Sequence, residues 1–395
     1  MSVHAPAPAG GAFGFRSYLP PGADRIACSA YHHGMRNIAP SITFASALQI
    51  MTAQAASVDQ HSRWPTENLK ALRQCGAMAW SVPTDLGGDN LSPVQLQRRY
   101  QLIASACLTT ALILTQRDAA VEFLAAAADE NPFAHRLLHQ AAAGRKWFSI
   151  GISQVTTSTR HGPSALIARP AADGYRLDGI IPWATAAHHA AYLIAAAHVQ
   201  SGEKLLFILP MTSRGVSVRP CRPMAVLNGS DTAPVKLSAV HVSRDRVLAG
   251  PSADALKIRA RRRRFTLNTC VLPLGVAQGA LAMAQEELLG RSRFCRLEIA
   301  GLRKQWRQLS RTVYRLGMEN PPAAGAAAAQ LRAQCNHMAM RSALAALELA
   351  KGSGLCADHA AQRRVREAMF FFVWSSPAAV IEKTLAGLAA DLPIC

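Results

Sequence analysis

The spacing of apolar residues changes twice along this chain, and this change limits the fold more than any other feature. From residue 43 to 145 they recur at every third or fourth position, as in helices buried on one side. From Lys146 to about residue 250 they form short runs of β-forming residues separated by Gly, Asp, Asn and Ser. From residue 251 the helical spacing returns. The predicted order is helices, a β-domain, then helices, which is an α+β fold.

This pattern predicts four parts: an N-terminal extension (1–42), an N-terminal helical domain (43–145), a central β-domain (146–250) and a C-terminal helical bundle (251–395). The strand spacing is typical of an antiparallel barrel or sandwich. The last part contains enough helical sequence for a four-helix bundle. Its predicted helices are Leu274–Leu289, Leu297–Leu316, Ala323–Lys351 and His359–Ala390.

Composition excludes several classes of protein. Half of the 395 residues are hydrophobic and only 17% are charged, which is unlike a disordered chain. The sequence contains no run of about 18 apolar residues, so it predicts no transmembrane helix. Residues 1–42 lack a basic segment followed by an apolar one, so no secretory signal is expected. The nine cysteines form no CxxC pair and indicate neither a zinc site nor a disulfide framework, as expected for reduced thiols in the cytoplasm.

The formal charge of +19 has two interpretations. Only eight of the 43 basic residues are lysines, so an arginine-rich composition spread over the surface accounts for the charge. The other interpretation is a site for nucleic acid, acidic lipid or a phosphate-bearing ligand. One basic cluster, Arg259 and Arg261 to Arg264, supports it, but no aromatic residues alternate with these arginines. Charge alone does not decide between them.

Common nucleotide and hydrolase motifs are absent from the sequence. There is no GxGxxG after a strand, no Walker A loop and no GxSxG turn. The pairs His32-His33 and His188-His189 are adjacent, and consecutive residues do not share one face of a helix or strand. We therefore expect surface histidines and no metal site.

A series of short motifs resembles the acyl-CoA dehydrogenase superfamily over nearly the whole chain from residue 43. Each motif is weak alone, but they occur in the family's order and spacing. They are VPTDLGG (Val82–Gly88), ISQVTTSTR (Ile152–Arg160), DGYRLDGIIPWATAA (Asp173–Ala187), GSDT (Gly229–Thr232), LPLGVAQGAL (Leu272–Leu281) and RSRF (Arg291–Phe294).

The resemblance implies an FAD cofactor. A flavin ring needs hydrogen-bond donors along its polar edge and an apolar wall over one face. Ser153 and Thr185 can donate, and Trp183 can form the wall. By resemblance, Thr185 serves the flavin N5 and Thr159 the pyrophosphate side, and Ile152 belongs to the same loop.

The resemblance also implies a homodimer or homotetramer with FAD between protomers. Arg291 and Phe294 match the family's Arg-x-x-Phe, which reaches a neighbouring subunit's FAD, and an arginine there suits a pyrophosphate. Gly352 matches a glycine that lets the backbone approach the adenine half.

The catalytic base departs from the family pattern. Where most members have Glu in a Tyr-Glu-Gly-Thr turn, this chain has Trp374 and Ser375, the predicted substrate-pocket residues. An unactivated serine cannot take a proton near neutral pH. The second known base position falls at Arg264 or Phe265. The nearest acidic residue downstream, Glu382, lies seven residues beyond Ser375. Other family contacts also change, at Pro377, Leu302, Glu348 and Ala233.

Three functions remain open from the sequence. The first is an FAD-dependent oxidoreductase acting on an acyl thioester of CoA or a carrier protein, with an electron-transfer flavoprotein as partner. The second is a two-component monooxygenase of the same fold, supplied with reduced flavin by a reductase. The third is a non-catalytic relative that binds nucleic acid through Arg259–Arg264.

Overall fold

Two blocks of helices flank one β-sheet in the computed structural model, which describes residues 40–156, 165–261, 267–319 and 326–390. The α+β class and the order helices, sheet, helices are confirmed. Among the described residues, no helix has the length and apolar character that a membrane span requires.

Five helices precede the sheet, and capping side chains define several of their starts. Thr43 and Asn131 accept hydrogen bonds from the first turns of α1 and α5, and Ser92 forms a capping box with Gln95 at the start of α3. The helices are α1 (Phe44–Gln60), α2 (Thr66–Gln74), α3 (Pro93–Ala106), α4 (Leu108–Ala127) and α5 (Pro132–Ala142).

The eight strands form one sheet in the order β6-β7-β3-β2-β4-β5-β8, with β1 paired to β4. The strands are β1 (Phe148–Gly151), β2 (Leu166–Ala171), β3 (Gly174–Ala184), β4 (Tyr192–Val199), β5 (Lys204–Pro210), β6 (Val216–Val218), β7 (Ala233–Val242) and β8 (Val247–Ser252). Both β1 and β2 run parallel to β4, so the sheet is mixed rather than wholly antiparallel. Each reaches β4 across intervening chain instead of through a tight hairpin, which allows a parallel pairing.

The C-terminal helices are α6 (Asn268–Glu286), α7 (Arg293–Glu319), α8 (Ala326–Ala350), α9 (Ala360–Phe370) and α10 (Ala378–Ala390). The single helix predicted over His359–Ala390 was wrong, because a turn separates α9 from α10. Pro377 lacks an N–H group and disfavours helical geometry in the residue before it, and Ser375 has a left-handed φ of 48°.

One hydrophobic core joins the helices before the sheet to those after it. Helices α3 and α6 pack closely because α6 presents glycines one turn apart. A Cβ on Gly275 would lie 2.5 Å from the Gln101 carbonyl oxygen, and one on Gly279 would lie 2.7 Å from that of Ser105. Two further clusters lie against the sheet, one of them shared with α4 and α5.

Candidate functional site

Strand β1 brings the predicted flavin loop against β3. A Cβ on Gly151 would lie 2.9 Å from the Ile181 side chain, and the 3-10 turn Ser153–Val155 that follows also contacts β3. The Ser153 Oγ is buried and has no hydrogen-bond partner among the described residues. A buried hydroxyl without a hydrogen-bond partner costs free energy, so the Ser153 Oγ is suited to hydrogen-bond a bound ligand.

Two further predicted flavin residues lie at the end of β3. The Trp183 side chain is 40% exposed, which is unusual for a strand tryptophan and leaves an aromatic face open. Thr185 is buried, and its Oγ lies 3.1 Å from the Thr232 Oγ, which in turn lies 2.8 Å from the Ser230 Oγ. These hydroxyls form a short chain that fixes Thr185, and the Thr185 proton is available to a ligand when Thr232 donates to Thr185.

The rest of the flavin loop is only partly described. Ile152 is half-buried against the cluster shared by α4, α5 and the sheet. Thr159 lies outside the described residues. Gln154, which the sequence did not single out, is buried and donates through Nε2 to the Gly151 and Ala196 carbonyls at 2.9 and 2.7 Å. It therefore fixes the turn that carries Ser153.

Arg291 and Gly352 come together at one end of the helical bundle. The Arg291 guanidinium donates to the carbonyl of Leu349, close before the 3-10 turn Lys351–Leu355 that contains Gly352. A Cβ on Gly352 would meet nothing within 4 Å, so open space surrounds it. Phe294 begins α7 nearby in sequence and is 69% exposed. An exposed phenylalanine and a glycine with open space are compatible with an external partner.

Arg332 of α8 holds the turn that carries Ser375. Its guanidinium donates to the Ser375 carbonyl at 2.6 Å and also to that of Trp374. Burial lowers the pKa of Arg332. The Trp374 ring stacks on Phe370 with 5.3 Å between centroids. Ser375 is exposed, so the turn is fixed while its hydroxyl faces solvent.

The other two base positions supply no carboxylate to this turn. Arg264 and Phe265 lie outside the described residues, and neither is acidic. Glu382 is exposed on α10. The carboxylate that the resemblance leads us to expect at Ser375 therefore has no replacement at Arg264 or Phe265, and Glu382 is an exposed residue of the next helix.

A groove of about 460 Å³ is lined by two members, Cys221 and Asp231, of a cluster that sequence reasoning missed. The His188 Nδ1 lies 2.7 Å from the Asp231 Oδ1, and the Cys221 thiol donates to the same oxygen at 3.3 Å. Burial, together with the Asp231 carboxylate, raises the pKa of Cys221 to about 11. Because His188 lies far from Cys221 and Asp231 in the chain, no local sequence motif indicates this cluster.

The adjacent histidine has a different environment from His188. His189 stacks on Trp64 with 4.0 Å between ring centroids, and burial lowers its pKa. The two side chains of the pair therefore point into different surroundings, as expected for consecutive residues.

Of the arginine cluster, only Arg259 has a described side chain. Arg259 pairs with Glu122 and lies over the Phe123 ring at 5.1 Å, so its charge is used within the chain. The side chains from Arg261 to Arg264 lie outside the described part. The described residues give no direct support to a nucleic-acid surface here.

Comparison with known proteins gives consistent results in sequence and in structure. No family model matches the chain. It is 26% identical over 251 residues to probable acyl-CoA dehydrogenase FadE10 of Mycobacterium tuberculosis, covering 60% of this chain and 37% of that protein. It is 24% identical over 241 residues to the mitochondrial short-chain specific acyl-CoA dehydrogenase of Bos taurus, covering 59% and 56%. The matches thus span less than two thirds of these relatives' length.

Two solved structures share the fold over almost their full length. Butyryl-CoA dehydrogenase from Megasphaera elsdenii has a TM-score of 0.73 and 18% identity, covering 91% of this chain and all of that one. KijD3, solved in complex with FMN and a dTDP-linked amino sugar, has a TM-score of 0.71 and 20% identity, covering 89% and 92%.

Proposed function

Because this chain belongs to the acyl-CoA dehydrogenase superfamily, we propose that it is a flavin-dependent oxidoreductase acting on an acyl thioester of CoA or a carrier protein. The observation that carries this proposal is the set of groups around the end of β3: a buried Ser153 hydroxyl without a partner among the described residues, an open Trp183 face and a fixed Thr185 hydroxyl.

These residues fit a flavin chemically. Ser153 and Thr185 would donate hydrogen bonds to the ring edge, and Trp183 would cover one face. The bound flavin would supply the two-electron acceptor for the reaction. Donors fixed before the ligand arrives lose little entropy on binding, and the Thr185–Thr232–Ser230 chain provides such fixation.

A second protomer would complete the cofactor site. Arg291 keeps its terminal Nη1 without a partner among the described residues, while its other nitrogens bind the Glu287 and Leu349 carbonyls. This arrangement orients the guanidinium and leaves donors for a pyrophosphate. With Phe294 exposed and Gly352 open, we propose that this end of the bundle contacts the FAD of a partner subunit in a homodimer or homotetramer.

The Trp374–Ser375 turn would line the substrate pocket. The family's reaction removes a proton from the substrate, and Ser375 cannot accept it near neutral pH. In the dehydrogenase form of the proposal the base would therefore be supplied by the substrate or by another side chain, and an electron-transfer flavoprotein would be the electron acceptor.

The direct test is an anaerobic titration of the purified full chain, reconstituted with FAD, using acyl-CoAs of different chain length. Loss of the flavin's visible absorbance on adding an acyl-CoA would support the proposal. Retained absorbance with every acyl-CoA and acyl-carrier substrate would contradict the dehydrogenase activity, and failure to bind any flavin would contradict the whole assignment.

Ser375 also favours a second candidate, a two-component flavin monooxygenase. Such an enzyme uses reduced flavin and oxygen and needs no carboxylate at this turn. A structural neighbour crystallised with FMN and a dTDP-linked sugar supports a role for this fold beyond thioesters. Substrate-dependent oxygen consumption that requires an added flavin reductase would favour this candidate. The absence of such consumption, with bleaching by an acyl-CoA, would favour the first.

A further inference from the structure

Three different metal-ligand types meet beside the groove that lies between the start of α2 and the β6–β7 connection. They are the imidazole of His188, the thiol of Cys221 and the carboxylate of Asp231, and their ligand atoms all lie within 4.8 Å of one another. Imidazole, thiolate and carboxylate are the three side-chain ligands that zinc uses in proteins.

The carboxylate is already oriented for coordination. The Asp231 Oδ2 accepts a hydrogen bond from the His188 backbone N–H at 2.7 Å, which directs Oδ1 towards the His188 ring and the Cys221 thiol. Groups that fix a ligand's orientation commonly accompany metal sites and raise their affinity.

Space for a further ligand lies beside the cluster. Cys221 and Asp231 both line the 460 Å³ groove, together with Trp64, His189 and Asn228. Zinc sites with three protein ligands keep a fourth position for water or substrate. The groove would give that position access from solvent.

We propose that His188, Cys221 and Asp231 bind one divalent cation of the zinc class, with an open fourth position facing the groove. On binding, the Cys221 thiol loses its proton to solvent and the thiolate forms the metal–sulfur bond. The His188 ring exchanges the Nδ1 proton that faces Asp231 for one on Nε2, and the freed Nδ1 lone pair binds the metal. No oxidation or reduction is involved. The site does not depend on flavin binding.

The required rearrangement involves side chains alone: the three ligand atoms, all within 4.8 Å of one another, would have to reach tetrahedral spacing. In a tetrahedral zinc site the ligand atoms lie roughly 3.3 to 3.5 Å apart. The Asp231–Cys221 separation of 3.3 Å already matches. The Asp231–His188 separation of 2.7 Å would have to increase by about 0.6 Å, which a ring rotation provides. Side-chain movement on this scale needs no change in the strands.

The test is a titration of the reduced, metal-free full chain with Co²⁺, which reports thiolate coordination through a sulfur-to-cobalt charge-transfer band. We expect one equivalent to produce this band and Zn²⁺ to displace it. Cys221→Ser should abolish the band, and His188→Ala should weaken binding at least tenfold. Cys356→Ser and His241→Ala, at exposed positions elsewhere, are matched controls that should bind like the parent chain.

Circular dichroism of each variant separates lost binding from lost folding. The proposal is overturned if the folded parent chain gives no charge-transfer band, or if the band persists in folded Cys221→Ser. It is equally overturned if Cys356→Ser removes the band, because the thiolate would then come from another part of the chain.

Discussion

Thr185 directly follows strand β3, and Ser375 lies between α9 and α10; the proposed function assigns both to the active site, yet they differ in what they would keep of the family pattern. By family resemblance Thr185 keeps the expected flavin-binding residue, and it sits in a chain of hydroxyls with Thr232 and Ser230. By the same resemblance Ser375 stands where most members have a carboxylate, and Arg332 fixes its turn. On the proposed assignment the binding group is kept and the chemical group is changed, which is what a change of reaction on a retained cofactor site would produce.

Restoring a carboxylate at Ser375 gives the strongest test of this comparison. In Ser375→Glu we expect acyl-CoA dehydrogenation to rise by roughly 100- to 10,000-fold, because a positioned general base contributes that much. Stopped-flow measurement of flavin reduction checks the rate. Ser375→Gln, of equal size but unable to accept the proton, is the control.

If Ser375→Glu binds both flavin and an acyl-CoA but reduces the flavin no faster than Ser375→Gln, the pocket is not shaped for α,β-chemistry. That result would favour the monooxygenase candidate over the dehydrogenase.

Replacing Arg332 tests whether this residue fixes the Trp374–Ser375 turn. Arg332→Met removes hydrogen bonds from a buried cation to the Trp374 and Ser375 carbonyls, and we expect the free energy of unfolding to fall by about 3 kcal/mol. Urea denaturation measures this. Arg341→Met, which removes an exposed arginine of the same helix that contacts Gln305 at 3.4 Å, should change stability by less than about 0.5 kcal/mol. Equal losses in the two variants would show that Arg332 does not hold the turn.

The sequence predicted the order of the fold because apolar periodicity records local geometry. The periodicity missed the break between α9 and α10 because the apolar spacing continues across the turn, whereas the family resemblance placed a turn at Trp374 and Ser375. The sequence could not reveal the contacts of Arg332 with the turn or of His188 with Asp231, since they join residues 42 or 43 positions apart in the chain. Cys221 lies only 10 positions from Asp231, but no known short motif links the two. The roles of Ser153, Trp183 and Thr185 came from family resemblance and stay predictions.

Thr185→Val tests the proposed flavin contact, because valine keeps the shape of the threonine side chain and removes its hydroxyl. We expect flavin affinity to fall about tenfold, the worth of one hydrogen bond to the ring. Thr232→Val removes the inner neighbour of Thr185 but no proposed flavin contact, and should change affinity less than threefold, or about 0.6 kcal/mol. Fluorescence titration with FAD measures both. A larger loss of flavin affinity in Thr232→Val than in Thr185→Val would indicate that Thr232, not Thr185, contacts the ring.

The smallest expected effect concerns the backbone at Ser375, whose φ of 48° lies in the left-handed region. Ser375→Gly should raise the free energy of unfolding by about 0.5 to 1 kcal/mol, because glycine adopts this conformation without the Cβ clash that other residues suffer. Ser376→Gly, at the neighbouring position without a positive φ, should instead lower it through the greater freedom of glycine in the unfolded chain. Urea denaturation of the two variants gives the sign of each change. A gain at Ser375 with unchanged flavin affinity would mean that this turn stores strain that cofactor binding does not need, whereas a loss would mean that the serine side chain itself supports the turn.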